Sequence, residues 1–335
     1  MVSTVEISVV VPVYNGKRTI RKTLDSLLSQ KIGRSYEIIA VDDGSRDETP
    51  KILSEYRKRG IRVITQKNAG PASARNAGWK KARGKIVAFT DSDCRPVQDW
   101  LSSITKPFSD RNVGGVGGTY RTENRDKILA RYIGLDIELR HSRFKREIEG
   151  TGSFSIAFRK NLLERTGGFD ETYRKPTAED FDLCFAVRNL GKKIIFEPKA
   201  IVYHYHPEHF SNFMREQMRH ARARAYMYKK FTGRVKGESY TPLSTIITAP
   251  LSFLFIATFP LFFLGKINPV LPIIPSAFFA ALFILALPLF FYCLKKRDYS
   301  VALISIPVQL SRFFAWTLGV LAGFIDIIFH RKGNF

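Results

Sequence analysis

The strongest constraint in this sequence is a pair of long segments near the C-terminal end that contain no charged residue. They run from Leu243 to Leu264 and from Ile267 to Leu294. About 20 apolar residues in a helix cross a hydrocarbon layer of about 30 Å, so each segment is long enough to span a membrane. We therefore predict spans at about 243–264 and 268–294.

A third apolar region, at about 300–329, is interrupted by Arg312 and Asp326. Each charge costs roughly 2.5–3.5 kcal/mol at the centre of a bilayer. A crossing would also place the basic end "HRKGNF" outside, against the rule that basic flanks stay in the cytoplasm. The sequence leaves open whether this region spans the membrane, re-enters it or lies on its surface.

Basic residues flank the two uncharged segments. Lys229, Lys230, Arg234 and Lys236 precede the first, and "KKR" follows the second at 295–297. Both flanks should face the cytoplasm. No basic leader with an apolar stretch and a cleavage site opens the chain. We expect an integral protein of the cell membrane whose N-terminal region lies on the cytoplasmic side.

The whole chain of 335 residues is strongly basic, with 53 Lys and Arg against 30 Asp and Glu and a net charge of +23. This favours anionic partners. Residues 210–240 contain a basic amphipathic helix just before the first apolar segment, which we expect to lie on anionic lipid headgroups rather than simply in solvent. We find no features that read nucleic-acid bases. The three cysteines lie far apart without metal-like spacing, which argues against a disulfide framework and a zinc site and favours a reducing compartment.

In the N-terminal part, apolar runs of strand length alternate with helical patterns, which is typical of βαβ units and a parallel sheet. The runs are "EISVVVPV", "YEIIAVDDGS", "IRVITQ" and "KIVAFTDSD". We predict an α/β fold over 1–209, the interfacial helix and linker over 210–240, and a helical membrane region over 241–335. The pattern weakens at "VGGVGG" and between about 121 and 149, where a helix and disorder are both open.

Polar side chains follow each of these four strands. The carboxyl ends of parallel strands share one edge, so Tyr14, Asp42, Asp43, Asn68 and the Asp91–Asp93 pair should lie along one rim. Residues two apart on a strand point to the same side, so Asp91 and Asp93 could together hold Mg²⁺ or Mn²⁺. A solvated loop with a helix cap is the alternative for this pair, and an Asp-Gly turn is the alternative for Asp42 and Asp43.

Together these segments resemble the family 2 glycosyltransferases, which invert the sugar and have the GT-A nucleotide-sugar-binding fold. The resemblance rests on "VPVYNG", "VDDGS", "NAGPASARNAGWKKARGKIVAFTDSD", "GTGSFSIAFRKNLLERTGGFDE" and "AEDFDL", in this order between about Val9 and Leu190. It implies a UDP- or GDP-sugar donor whose base stacks near Tyr14 and bonds Asp42 or Asp43, with Arg75 nearby. The matching motifs also place Pro12, Asn15, Asn68 and Ser92 at the donor.

The resemblance also implies which residues bind the metal and which residue accepts the proton. Asp91 and Asp93 match the metal-binding pair on the diphosphate, and Asp180, next to Glu179, matches the catalytic base. An acceptor hydroxyl must lose its proton as it attacks, and a carboxylate within reach can accept it. His204 matches an additional metal contact found in some members, although a His-x-His such as His204 and His206 is more often part of the packing or a loop.

We expect transfer of one sugar to a hydroxyl of a lipid-linked saccharide or another membrane-held acceptor. A polyprenyl phosphate is the alternative acceptor, but it is already ionised near neutral pH and hardly needs a base. A processive polysaccharide synthase is disfavoured because "QMRHA" from Gln217 departs from the Gln-x-x-Arg-Trp of such enzymes. A membrane protein that only binds sugar nucleotides is the remaining alternative.

Overall fold

The computed structural model describes residues 5–231 and 240–329, and it divides them into two compact units. The first unit contains residues 5–123 and 143–205, and the second contains 124–142 and the described residues from 206 onward. From the sequence, residues 124–142 were predicted to belong to the α/β part of the chain. In the structure they belong to the second unit, together with the C-terminal helices. Arg234, Lys236 and the "HRKGNF" end lie outside the described residues.

Strands and helices are numbered in chain order across both units. The strands are β1 (Ile7–Val13), β2 (Tyr36–Asp42), β3 (Arg62–Thr65), β4 (Ile86–Phe89), β5 (Cys94–Pro96), β6 (Val113–Thr122), β7 (Glu147–Ile148), β8 (Ile156–Arg159) and β9 (Lys193–His204). The helices are α1 (Ile20–Leu28), α2 (Thr49–Arg57), α3 (Pro71–Lys80), α4 (Trp100–Thr105), α5 (Ile128–His141), α6 (Lys160–Thr166), α7 (Glu179–Asn189), α8 (Phe210–Lys230), α9 (Leu243–Ile246), α10 (Thr248–Thr258), α11 (Ile273–Lys295) and α12 (Tyr299–Ile328).

The first unit is built on one mixed sheet. Its strand order is β3-β2-β1-β4-β8-β6-β9-β5, and β7 pairs with β9. The four predicted strands β1 to β4 are parallel, as expected. Strand β1 is buried along its whole length because helices cover both faces of the sheet, which is why its sequence is almost entirely apolar. The predicted α/β fold is confirmed.

The other half of the sheet was not predicted in detail. The glycine-rich "VGGVGG" forms the start of β6, which pairs antiparallel with β8 and parallel with β9. A Cβ at Gly118 would lie 2.2 Å from the carbonyl oxygen of Ala200 and from Oγ of Ser155. Glycine is therefore required for close packing here, and it removes the apolar side chains from which strands are predicted.

The second unit is helical. The stretch of uncertain pattern forms α5, and the predicted basic amphipathic segment forms α8. The first uncharged segment consists of α9, α10 and a 3-10 turn at Phe259–Leu264, whereas the second contains the continuous helix α11. By length and composition, Leu243–Leu264, Ile273–Lys295 and Tyr299–Ile328 are each able to cross a membrane.

Candidate active site

The carboxyl ends of β1 to β4 form one rim of the first unit, as predicted. Because the order is β3-β2-β1-β4 and all four strands are parallel, the residues that follow them lie along the same edge of the sheet. Tyr14 follows β1 and is 47% exposed, so its ring is available to a ligand. Ligands of open α/β sheets bind at this edge.

Asp91 and Asp93 lie on this rim, but not as neighbours on a strand. Strand β4 ends at Phe89, and the amide of Cys94 donates to the carbonyl of Asp91 across 3.1 Å, which closes a turn over residues 91–94. The prediction that Asp91 and Asp93 alternate along a strand is therefore wrong, because a turn presents both side chains. The turn leads into the short strand β5, which the sequence analysis did not identify.

Strand β5 brings Asp93 to His204. Cys94 pairs with His204 across the antiparallel β5–β9 ladder, and His204 is the last residue of β9. Nε2 of His204 lies 3.6 Å from Oδ1 of Asp93, and the imidazole stacks on Tyr120 with ring centroids 5.4 Å apart. His206 belongs to the second unit, where its backbone amide donates to Oδ1 of Asn124.

The side chains around Asp93 suit a hard divalent cation. A carboxylate oxygen of Asp93, an imidazole nitrogen of His204 and Sγ of Cys94 all lie within 4.8 Å of one another. Burial, together with the nearby carboxylates of Asp93 and Asp91, raises the pKa of the Cys94 thiol well above its usual range, so the sulfur stays protonated. Asp93 supplies a carboxylate oxygen, the kind of donor that Mg²⁺ and Mn²⁺ prefer, and His204 adds a nitrogen donor; without a thiolate, a soft metal is disfavoured.

Arg75 links this rim to the start of α7. Its guanidinium group is 3% exposed, and it donates to Oδ1 of Asp91 and to Oε1 of Glu179, each at 2.8 Å. Burial alone would lower the pKa of Arg75, but the charges of Asp91 and Glu179 outweigh it and raise that pKa. One oxygen of Asp91 is thus engaged by protein, which leaves the other for a ligand.

Glu179 and Asp180, the first two residues of α7, are in different environments. Glu179 is 2% exposed, and its second oxygen accepts the amide of Thr177 at 2.8 Å, so both of its oxygens are engaged. Asp180 is half-buried and accepts the amides of Ser153 at 2.9 Å and Phe181 at 2.8 Å. Of the two predicted catalytic carboxylates, Asp180 is the one that a substrate can reach.

The acidity of Asp180 suits a general base. Burial and the adjacent charge of Glu179 raise its pKa to about 7, although Arg75 and the two amide bonds act in the opposite direction. Burial and Asp91 likewise raise the pKa of Asp93, whereas His204 lowers it. A carboxylate with a pKa near the working pH is the most effective general base.

Asp43 shapes the loop at 66–70. Its carboxylate accepts side-chain bonds from Gln66 and Asn68 and the amides of Ala69 and Gly70, at 2.7 to 3.1 Å. Asp42 accepts the amide of Ser45 at 2.9 Å. Both carboxylates are at most 3% exposed, so in this arrangement they hold the loops of the rim in place.

Gly70 connects this loop to the segment before α7. Its φ of +97° lies in the region that favours glycine, and a Cβ there would lie 2.4 Å from the carbonyl oxygen of Arg174. Only a glycine allows the two backbones to approach this closely.

The remaining predicted donor residues have structural contacts. Pro12 is buried near the carboxyl end of β1, where it pairs with Val41 of β2. The side chain of Asn15 accepts the amide of Arg46 at 2.8 Å, and the carbonyl of Ser92 accepts the hydroxyl of Thr23 at 2.9 Å. These residues fix the loops around Tyr14 and Asp91.

Comparison with known proteins matches residues 8–167 to the family described as "Glycosyl transferase family 2". This segment is a family 2 glycosyltransferase domain. The probable glycosyltransferase YdaM of Bacillus subtilis is 31% identical over 244 residues, which are 68% of this chain and 57% of that protein. The chain spans about half the length of the curated relatives that it matches.

Two solved structures are similar to the chain that contains the family 2 domain. The mannosyltransferase PcManGT of Pyrobaculum calidifontis, in complex with GDP-Man and Mn²⁺, is 22% identical with a TM-score of 0.63, over 96% of this chain and 87% of that one. TarS 1–349 of S. aureus, in complex with UDP, is 18% identical with a TM-score of 0.50, over 95% and 90%. The mixed sheet flanked by helices thus resembles the GT-A glycosyltransferases, as predicted.

Two contacts within the first unit were missed by sequence reasoning. The first is the pairing of Arg75 with Glu179, since 104 residues separate them. The second is Ser153, whose amide holds Asp180. The glycines of "GTGSF" were the signal that could have indicated this contact, because glycine lets the backbone approach another group closely.

Proposed function

We propose that this chain is a membrane-bound, metal-dependent inverting glycosyltransferase. It transfers one hexose from a UDP- or GDP-sugar to a hydroxyl of a lipid-linked saccharide or another membrane-held acceptor, on the cytoplasmic side of the cell membrane. The family 2 domain, and the GDP-Man and UDP bound in similar structures, support the donor class. The observation that carries the proposal is Asp180, a reachable carboxylate beside the Arg75–Asp91 pair at the donor rim.

In the proposed reaction, Asp180 accepts the proton of the acceptor hydroxyl as the hydroxyl oxygen attacks the anomeric carbon. The bond from that carbon to the diphosphate breaks, and the nucleoside diphosphate leaves from the opposite face. The configuration of the sugar therefore inverts. Arg75 keeps Asp91 and Glu179 in position, and Glu179 keeps the pKa of Asp180 high enough for the carboxylate to hold a proton.

A divalent ion would be held by Asp93 and His204, with the remaining oxygen of Asp91 as a further donor. When bound, it would neutralise the charge that develops on the departing diphosphate. Tyr14, exposed at the same rim, is in a position to stack on the nucleotide base.

The acceptor class follows from the need for a base. A sugar hydroxyl keeps its proton at neutral pH, whereas a polyprenyl phosphate is already ionised. A carboxylate positioned to act as a general base therefore favours an acceptor with a hydroxyl group. The three long apolar helices of the second unit and the basic helix α8 support a membrane-held acceptor and contact with anionic headgroups.

The test is a screen of UDP- and GDP-sugars with the purified full chain, against lipid-linked saccharides and polyprenyl phosphate, in Mg²⁺ or Mn²⁺. We expect released nucleoside diphosphate and an inverted product by NMR, with one class of saccharide acceptor. Asp180→Asn should reduce the rate on this acceptor by a factor of about 10² to 10⁴. Glu164→Gln, an exposed carboxylate of α6, is the matched control and should leave the rate unchanged.

Two results would contradict the proposal. Full activity of Asp180→Asn on a saccharide acceptor would exclude Asp180 as the base. Transfer to polyprenyl phosphate alone, unaffected by Asp180→Asn, would assign the alternative acceptor class.

A further inference from the structure

Helix α12 combines an apolar sequence with two ionised side chains, and both are paired within the second unit. NH1 of Arg312 donates to Oδ2 of Asp136 on α5 at 2.7 Å, and each side chain is 8% exposed. Asp326, 4% exposed, accepts Nε of Arg222 on α8 at 2.5 Å. The two charged side chains in this apolar region therefore form ion pairs with other helices.

Those two helices are too polar for a hydrocarbon layer. Helix α5 has the sequence "ILARYIGLDIELRH", and α8 has the sequence "FSNFMREQMRHARARAYMYKK". Burial would raise the pKa of Asp136, but Arg140 and Arg312 outweigh it and lower the pKa to about 2, so the carboxylate is ionised. Ionised groups and polar helices of this kind belong in the interface or in water.

Polar groups of α5 and α8 contact α12 at its start, near its middle and along its last part. Arg131 of α5 binds Asp298, the residue before α12, and Asp136 reaches Arg312. Helix α12 contacts α8 from Trp316 to Asp326. The indole of Trp316 donates to Gln217, and Asp326 accepts a hydrogen bond from Arg222. The longest stretches of α12 between these polar contacts, from Ser300 to Gln309 and from Trp316 to Asp326, are each no more than about 15 Å long at 1.5 Å per residue.

A spanning α12 would need about 30 Å of its length inside hydrocarbon. Because polar partners from α5 and α8 recur along α12 at intervals of no more than about 15 Å, a spanning orientation would carry charged parts of α5 or α8 into the lipid core. A helix that lies along the interface avoids this, because its polar partners can stay on the aqueous side.

The opposite face of α12 is apolar and exposed. Leu303, Leu318, Leu321, Ile325 and Ile328 are between 39% and 80% exposed, and they recur at helical spacing along one side. Helix α11, itself long and apolar enough to span a membrane, packs against α12 through Leu282, Ala286 and Phe313. The stripe therefore belongs to a helix packed against another helix that also exposes large apolar residues, an arrangement that suits acyl chains.

We propose that α12 lies in the membrane interface and does not cross the bilayer. Its apolar stripe, from Leu303 to Ile328, contacts acyl chains, and α5 and α8 pack on its aqueous side. The end of α12 at Ile328 is then on the same side of the membrane as Lys229 and Lys230. This agrees with the rule that basic flanks stay in the cytoplasm, which a third span would break.

The first test determines on which side of the membrane each end lies. Asn334→Cys and Lys230→Cys are made separately in the full chain and labelled in sealed vesicles of known orientation with an impermeant maleimide. Cys94, Cys184 and Cys293 are all buried, so background labelling of the folded protein is low. We expect both positions to react from the same side, and labelling of Asn334→Cys from the opposite side would overturn the proposal.

The second test measures depth. Spin labels at Leu303, Leu318 and Ile328 should report similar depths, within about one helix diameter of 10 Å. A spanning helix would separate the first and last labels by up to about 37 Å at 1.5 Å per residue, with Leu318 deepest, and that result would overturn the proposal. Labels at the exposed residues Ile273 and Phe291 of α11 are the control, because a membrane-inserted helix must show a depth gradient.

Discussion

At the scale of single residues, Asp180 is held in a state that suits proton transfer. Its pKa of about 7 arises from burial and from the adjacent Glu179. We predict that kcat/KM falls about tenfold per pH unit below about pH 7, because the base is then protonated. Glu179→Gln removes one negative charge, so this acid limb should move to lower pH.

The measurement is the pH–rate profile of the parent, Glu179→Gln and Glu164→Gln. An inflection that stays in place in Glu179→Gln would show that Glu179 does not set the acidity of Asp180. Lower activity with an unchanged pH profile would indicate a purely structural role for Glu179.

The same carboxylate should reduce stability at high pH. The pKa of Asp180 is raised from an ordinary 3.8 to about 7, so between these values the folded chain binds more protons than the unfolded chain. The free energy of unfolding therefore falls as pH rises from about 4 to about 7. Asp180→Asn removes this loss, and its unfolding temperature should exceed that of the parent by more at pH 8 than at pH 4. If the two unfolding temperatures differed by the same amount at pH 4 and pH 8, the raised pKa of Asp180 would be contradicted.

Asp93 and His204 lead to a prediction about metal dependence. If they hold the divalent ion, EDTA should abolish activity, and His204→Gln should raise the Mn²⁺ concentration needed for half-maximal activity by roughly tenfold or more. Asp93→Asn should have a larger effect because it removes a charged ligand. Titration of Mn²⁺ against the rate measures both effects. His209→Gln, a histidine outside this cluster, is the control, and an unchanged Mn²⁺ requirement in His204→Gln would remove His204 from the site.

At the scale of elements, apolar runs were sufficient to predict β1 to β4, since buried parallel strands need apolar residues on both faces. Strand β6 was missed because Gly117 and Gly118 pack where side chains would clash. The contact between Asp93 and His204 depends on pairing between β5 and β9, which no local pattern contains. Asp91 was placed on the correct rim for a wrong reason, since a turn and not a strand presents it.

Close packing between α8 and α12 gives a stability prediction. A Cβ at Gly319 would lie 2.3 Å from the carbonyl oxygen of Met218, and one at Gly323 would lie 2.8 Å from that of Arg222. Gly319→Leu should therefore destabilise the second unit by about 1–3 kcal/mol, as overpacking does. Thermal unfolding in detergent measures this. Leu318→Ala, at the neighbouring exposed position, should have little effect, and equal stability of both variants would show that the helices are not in close contact.

At the scale of the whole molecule, the net charge of +23 should couple activity to the lipid surface. Each Lys or Arg near an anionic bilayer contributes about 1 kcal/mol, and salt screens this attraction. We expect higher activity on a membrane-held acceptor in nanodiscs with anionic lipid than in neutral ones, and a smaller difference at high salt. Replacing Arg215, Lys229 and Lys230 by Gln should reduce the difference.

A matched triple variant separates this local effect from total charge. Lys51, Lys58 and Lys81 are exposed residues of the first unit, and their replacement by Gln removes the same charge. If both triple variants lost the lipid dependence equally, the total charge and not helix α8 would be responsible.

The close approach at Gly70 has a consequence for how such a chain can diversify. A methyl group at this position would clash with the backbone at Arg174, five residues before Glu179, the first residue of α7. The distance between the loop at 66–70 and the segment before α7 is therefore set at a residue that carries no side chain. A single hydrogen on the Cα of Gly70 is what lets these two backbones meet.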